Sequence, residues 1–341
     1  MRKLLQISLV LVVIVIVLGS YTRLTDAGLG CPDWPGCYGF LTVPHSDYRV
    51  TKAEVRFPER PVEQFKAWNE MIHRYAAGTL GLFVFAITAV AIRRRMKTDN
   101  PAELKAQPYK LPVFLSVLII FQALLGMWTV TMMLQPAIVM AHLLGGFTTF
   151  SLLALLYLRE TRPAIPDEPL LKNMQGLAAV TLAVVIGQIA LGGWVAANYA
   201  ALACTSLPIC EGNWWQNLDI SGAFTIHEAE DYEFGVHSYS ERMTMHVFHR
   251  IGAIITIGVM LLLIARLWQK TTSLWYRRMA LALTLLLFVQ VALGVTNVAA
   301  SLPLGIAVAH NAVGALMMVA LVVLNYGIYK NNKAGKEVSH G

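Results

Sequence analysis

The 341-residue chain is 56% hydrophobic and 14% charged, with a mean hydropathy of +0.56, a balance far more apolar than soluble domains show. It reads as an integral membrane protein. The formal net charge of +7 raises the question of nucleic acid, but the basic residues gather on connections between apolar segments, so no nucleic-acid partner is implied.

Apolar stretches of bilayer-crossing length run over 5–22, 67–92, 111–133, 137–158, 172–197, 244–266, 278–299 and 304–328. They predict an all-α integral membrane fold of eight transmembrane helices with both termini on one side. The first follows the short basic start "MRKLL" and lacks a small-residue cleavage site, so it reads as a retained helix. Arg2, Lys3, the "RRRMK" run at 93–97, Lys105, Lys110, Arg159, Arg162, Lys172, Arg266, Lys270, Arg277, Arg278, Lys330, Lys333 and Lys336 fall on one set of alternating connections. These are 18 of the 27 basic residues, and the positive-inside rule places those connections and both termini in the cytoplasm. The two long loops, about 23–66 and 198–243, then face outward.

All four cysteines, Cys31, Cys37, Cys204 and Cys210, lie in those loops, where an oxidising compartment favours disulfides over zinc. Their spacing exposes an internal repeat. "LGSYTRLTDAGLGCPDWPGC" from Leu18 and "LGGWVAANYAALACTSLPIC" from Leu191 share the Gly, first Cys, Pro and second Cys positions. "IHRYAAG" at 72–78 parallels "FHRIGA" at 248–253, and "FQALLG" at 121–126 parallels "VQVALG" at 289–294. Gln122 to His142 spans the same twenty residues as Gln290 to His310. Spans one to four (1–165) and five to eight (166–341) therefore read as two copies of one four-helix unit. An even number of spans per copy gives both the same orientation, which excludes an inverted repeat. The expected architecture is two pseudo-twofold-related four-helix bundles side by side.

His73, His142, His249 and His310 sit inside spans, each about five or six residues from the outer end of its predicted helix, a depth of about 9 Å. In each copy one histidine comes from the second helix and one from the fourth, and two such imidazoles can grip a haem from both faces. A single intramembrane histidine can simply hydrogen-bond a neighbour; four at matched positions point to function. Arg74 and Arg250 follow two of them and read either as interface anchors or as bidentate partners of a haem propionate. Gly78, Gly145, Gly146, Gly252 and Gly314 suit close approach of a flat macrocycle or ordinary helix packing. Glu70, three residues before His73, corresponds to His246 in the second copy; the carboxylate reads either as a proton handler or as an interface residue facing water.

The duplication, "TRLTDAGLGCPDWPGC", "NEMIHR" and the four repeat-matched histidines resemble the haem A synthase family, over nearly the whole chain. The resemblance implies oxidation of a methyl group of haem O to a formyl group through hydroxylated intermediates. It implies a haem b on His249 and His310 in the C-terminal bundle, and the haem O substrate at His73 and His142 in the N-terminal bundle with Glu70 as the functional acid. It matches Cys31, Cys37, Cys204 and Cys210 to the family's outer-loop cysteines. The expected partners are the farnesyltransferase that makes haem O, an electron acceptor and the lipid bilayer. The second outer loop carries an extra "HEAEDYEFGVHSYSE" segment whose His227 and His237 receive no role, and His246 competes with His249 as an iron ligand. The cysteine pairs can staple a cap over each pocket or take part in redox chemistry. Two other readings stand beside the enzyme: a membrane thiol/quinone oxidoreductase, which leaves the histidines idle, and a di-haem electron carrier or haem transporter.

Overall fold

The structure is a computed structural model describing residues 1–97 and 109–338; Lys105, counted above among the basic connections, lies outside the described residues. Among them there is no strand, and eight helices are long and apolar enough to cross a membrane. The chain is a multi-pass membrane protein. Its helices are α1 (Arg2–Leu24), α2 (Asp47–Arg56), α3 (Gln64–Met96), α4 (Lys110–Thr131), α5 (Pro136–Thr161), α6 (Gln175–Ala197), α7 (Ile220–Ala223), α8 (Tyr239–Lys270), α9 (Leu274–Ala299) and α10 (Leu304–Val338). β-branched runs such as "VLVVIVIV" in α1 are poor helix formers in water, but in lipid only a helix satisfies every backbone group within the segment. Outward apolar side chains are correspondingly uncovered, with Val10 63%, Leu82 70% and Phe288 73% exposed.

Two helices begin earlier than hydropathy predicts. α3 begins at Gln64 and α8 at Tyr239, so His73 stands nine residues into its helix and His249 ten, not five or six. The added turns are polar. In α8 they are nucleated by a capping box: Glu241 accepts from the Ser238 amide at 2.6 Å while Ser238 Oγ accepts from the Glu241 amide at 3.4 Å. The predicted fifth span starts late instead: residues before Gln175 form a tighter turn, Pro169–Met174, whose Leu171 and Met174 are buried with Leu263 and Tyr276.

The chain forms two compact units, Met1–Leu156 with Ile226–Val236, and Tyr157–Thr225 with His237–Gly341. In the first, α1 packs on α3 and α3 on α4. The segment Ile226–Val236, from the long second loop, is part of this unit: Tyr232 packs with Leu29, Val130 and Leu134 and its amide donates to the Met133 carbonyl at 3.1 Å. Arg60 holds the same segment through Asp231 at 2.5 Å and Glu233 at 2.6 Å. In the second, α6 packs on α8 and α10, and α9 on α8 and α10.

The repeat is visible in each unit's own backbone. Met133 and Leu134 take left-handed φ of +49° and +62° between α4 and α5, and Ser301 and Leu302 take +55° and +62° between α9 and α10. Each turn is closed by the same five-residue hydrogen bond, Leu134 N to Thr129 O at 2.8 Å and Leu302 N to Asn297 O at 2.7 Å.

The second unit is also latched by a buried carboxylate. Glu168 Oε1 accepts from Thr271 Oγ1 at 2.9 Å and from the amides of Thr272 at 2.9 Å and Ser273 at 2.5 Å. Its own amide and carbonyl pair with Asn331 of α10. Burial pushes the carboxyl pKa up, but the donors from residues 271–273 outweigh it and the net shift is downward. A depressed folded pKa gives stability that is fully present above the unfolded value of about 4.3 and is lost as pH falls through the folded one. Glu168→Gln is therefore expected to lower stability by about 2–3 kcal/mol at pH 7. The gap to the wild type should close below about pH 4 in detergent unfolding curves; a gap that widened on acidification would contradict this.

Candidate functional site

Each intramembrane histidine is set against a glycine of a neighbouring helix. A Cβ on Gly19 of α1 would lie 2.8 Å from His73 Cε1, and one on Gly192 of α6 would lie 3.0 Å from His249 Cε1. A Cβ on Gly126 of α4 would lie 3.4 Å from His142 Cε1, and one on Gly294 of α9 would lie 3.2 Å from His310 Cε1. All four glycines occupy repeat-matched places. In the first unit the rings of His73 and His142 meet edge to face with centroids 6.5 Å apart. Gln290 Nε2 lies 3.3 Å from His310 Nε2, and Gln122 lies against Gly145. Of the small residues singled out in the sequence, Gly145 and Gly252 abut glutamine amides, a Cβ on Gly314 would lie 3.5 Å from Gln290 Nε2, and Gly78 and Gly146 have open space.

Above the histidines, the cysteine pairs are closed as Cys31–Cys37 and Cys204–Cys210. The arginines hold these loops. Arg74 Nη1 donates to the carbonyls of Asp33 at 2.9 Å and Gly36 at 2.5 Å; Arg250 Nη1 donates to those of Ser206 at 2.6 Å and Ile209 at 2.5 Å, the same positions in the repeat. The other nitrogen differs. Arg74 Nη2 pairs with Glu70, whereas Arg250 Nη2 donates to the Cys204 carbonyl at 2.6 Å. Glu70 is only 5% exposed and also accepts from the Cys31 amide at 2.8 Å. It is thus a buried joint between α3 and the cysteine loop and does not face water. His246, at the matching place, is 4% exposed, and its Nδ1 is buried without a hydrogen-bond partner.

Residues 2–322 match the family model described as cytochrome oxidase assembly protein, COX15-CtaA. The chain belongs to this family. It is similar to a protein named heme A synthase from Shewanella oneidensis, 51% identical over 98% of each chain. Proteins of the same name from Halalkalibacterium halodurans and Rickettsia prowazekii are 26% and 25% identical over 94% and 96% of this chain and 94% and 97% of theirs.

A member of the COX15-CtaA family so related to heme A synthases raises the question of whether its residues fit a haem. Two features say that they do. Nδ1 of His73, His142 and His310 are buried without hydrogen-bond partners, a desolvation cost that a metal ligand role offsets. The facing glycines, in turn, leave each ring free of a neighbouring Cβ. Of the two histidines near the N-terminal end of α8, His249 shares with His73 the matched glycine, while His246 occupies the Glu70 place. His237 is set apart from both, 3.5 Å from Glu241 at the start of α8, and His227 is partly buried, its carbonyl accepting from Tyr232 Oη at 2.8 Å. Sequence reasoning passed over Gln188, whose amide lies 3.0 Å from His249 Nδ1; a glutamine in an otherwise apolar span was its only signal.

Proposed function

We propose that this chain oxidises a methyl group of haem O to a formyl group, yielding haem A. The observation that carries the proposal is the four histidines, two per unit, each ring seated against a repeat-matched glycine, with the rings of His73 and His142 meeting as a pair. The relatives' shared name supplies the reaction class. In this reading His249 and His310 hold a resident haem b, and His73 and His142 receive the haem O substrate. Bound haem supplies the redox power for breaking a methyl C–H bond, which side chains alone lack.

The chain's own residues bind, orient and cover. The four histidines fix the macrocycle planes, and the glycines set ring orientation. The disulfide-closed loops, clamped by Arg74 and Arg250, cap each pocket, so the arginines act through the cap. Glu70, joined to Arg74 and the Cys31 amide one turn from His73, is placed to hold or pass a proton at the substrate pocket. The basic connections and termini lie in the cytoplasm and the cysteine loops outside. A farnesylated porphyrin is handed over within the bilayer, which favours contact with the farnesyltransferase, and an electron acceptor completes the oxidation.

Haem extraction from protein purified out of cells that also make haem O should yield haem b together with haem O or haem A. A purified sample without Soret absorption would return the thiol/quinone reading.

A further inference from the structure

A haem carries two propionate carboxylates, and in the second unit the arginine that the sequence offers them is occupied. Arg250 commits Nη1 and Nη2 to the carbonyls of Cys204, Ser206 and Ile209. Across residues 173–225, 237–265 and 279–329 of that unit, the only other Lys or Arg is Arg242. It stands seven residues before His249 on α8. Seven residues turn a helix through about 700°, within about 20° of two full turns, so Arg242 and His249 share a face, about 10 Å apart along the axis. Arg242 is partly buried, its Nε is buried without a hydrogen-bond partner, and among the described residues no carboxylate pairs with its guanidinium. The acids at that end are engaged elsewhere: Glu211 accepts from the Thr205 amide at 2.7 Å, Asp219 from the Gly222 amide at 2.9 Å and Glu241 from the Ser238 amide at 2.6 Å. The positive end of the α8 dipole opposes the guanidinium instead of compensating it. In the first unit the matched cation is Lys66, seven residues before His73, and Glu63 lies 2.9 Å from its Nζ. The place of Glu63 is taken by Tyr239 in the second unit. The repeat keeps the cation and drops its counter-charge.

Resting on the haem reading above, we infer that Arg242 binds a propionate of the haem held by His249. A carboxylate avoids the apolar middle of a membrane span and turns to the nearer polar boundary. α8 runs from Tyr239 to Lys270, so that boundary lies on the Arg242 side of His249. A guanidinium meets a carboxylate with two parallel hydrogen bonds, and the pairing offsets the cost of a partly desolvated cation that the protein itself leaves unpaired. Arg250 stays with the cap, and Arg242 supplies the anion site.

The test uses the full chain carrying His73→Ala/His142→Ala, which leaves only the second-unit haem, and follows haem transfer to a scavenger apoprotein together with the redox potential. Arg242→Gln should speed haem loss by about 10–100-fold and lower the potential, because a cation beside the haem disfavours the extra positive charge of ferric iron. Arg242→Lys keeps the charge and loses the fork, so it should hold the potential and recover only part of the retention. After reloading with haem dimethyl ester, whose propionates are neutral, the parent chain should release the ester faster than haem b, whereas Arg242→Gln should release both at one rate. In a His249→Ala/His310→Ala background Arg242→Gln should leave the melting temperature unlowered, since no protein group loses a partner; a fall there would overturn the inference in favour of a structural role. An equal effect of Arg242→Gln on haem b and on the ester would overturn it in favour of a lipid phosphate on the guanidinium. Unchanged haem loss and potential in Arg242→Gln, with the haem absent once His249→Ala is added, would overturn it and leave the haem reading standing. Haem retained after adding His249→Ala would overturn both.

Discussion

Glu70→Ala is expected to destabilise the first unit by about 3–5 kcal/mol, the cost of stranding one partner of a buried ion pair. The carboxylate is 5% exposed, pairs with Arg74 and accepts from the Cys31 amide at 2.8 Å. Its removal leaves a buried guanidinium without its counter-charge and a buried amide without an acceptor. Glu70→Gln keeps the acceptor and loses the charge, so it should recover part of the stability without recovering haem A formation. Thermal unfolding in detergent reads the first effect and haem extraction the second. Full activity in Glu70→Gln would show that the carboxylate serves only as a joint.

Arg250→Ala should cost the second unit about 3–5 kcal/mol, because three backbone carbonyls lose a charged donor. Those carbonyls belong to Cys204, Ser206 and Ile209, all in the cysteine loop. The discriminating version is made in a His249→Ala/His310→Ala background that cannot ligate haem there. A clamp on the loop predicts the same loss of stability with or without haem, together with faster proteolysis of residues 204–210. A guanidinium serving only a propionate predicts no effect in that background. Arg250→Lys should rescue little, since one ammonium cannot span three carbonyls in the planar arrangement the guanidinium fits.

Much of this was legible from hydropathy and spacing. The spans emerge because lipid admits only helices, and the duplication emerges because cysteines, prolines, "HR" and the Gln-to-His interval recur in register. What hydropathy could not show is where a helix outlives the membrane. α3 and α8 continue through "QFKAWNE" and "YSERM", polar turns held by a capping box and loop contacts that a hydropathy window reads as loop. The arginines' hydrogen bonds go to main-chain carbonyls, which every sequence contains, so spacing could not separate a cap anchor from a propionate partner. Tyr232 illustrates the same limit: its burial against Leu29, Val130 and Leu134 is a tertiary fact, invisible in an acidic loop. Gln188 and Gly252 were readable letter by letter, but their coupling exists only once α6 and α8 are packed together.

The most direct measurement of the central claim is haem extraction and chromatography from cells expressing this chain with a haem O synthase, comparing wild type, Glu70→Ala and His249→Ala. Haem A in the wild type, with its loss or arrest at a hydroxylated product in both variants, is the predicted result. Bound haem b in the wild type with haem O left unchanged would contradict it and mark the protein as a haem carrier.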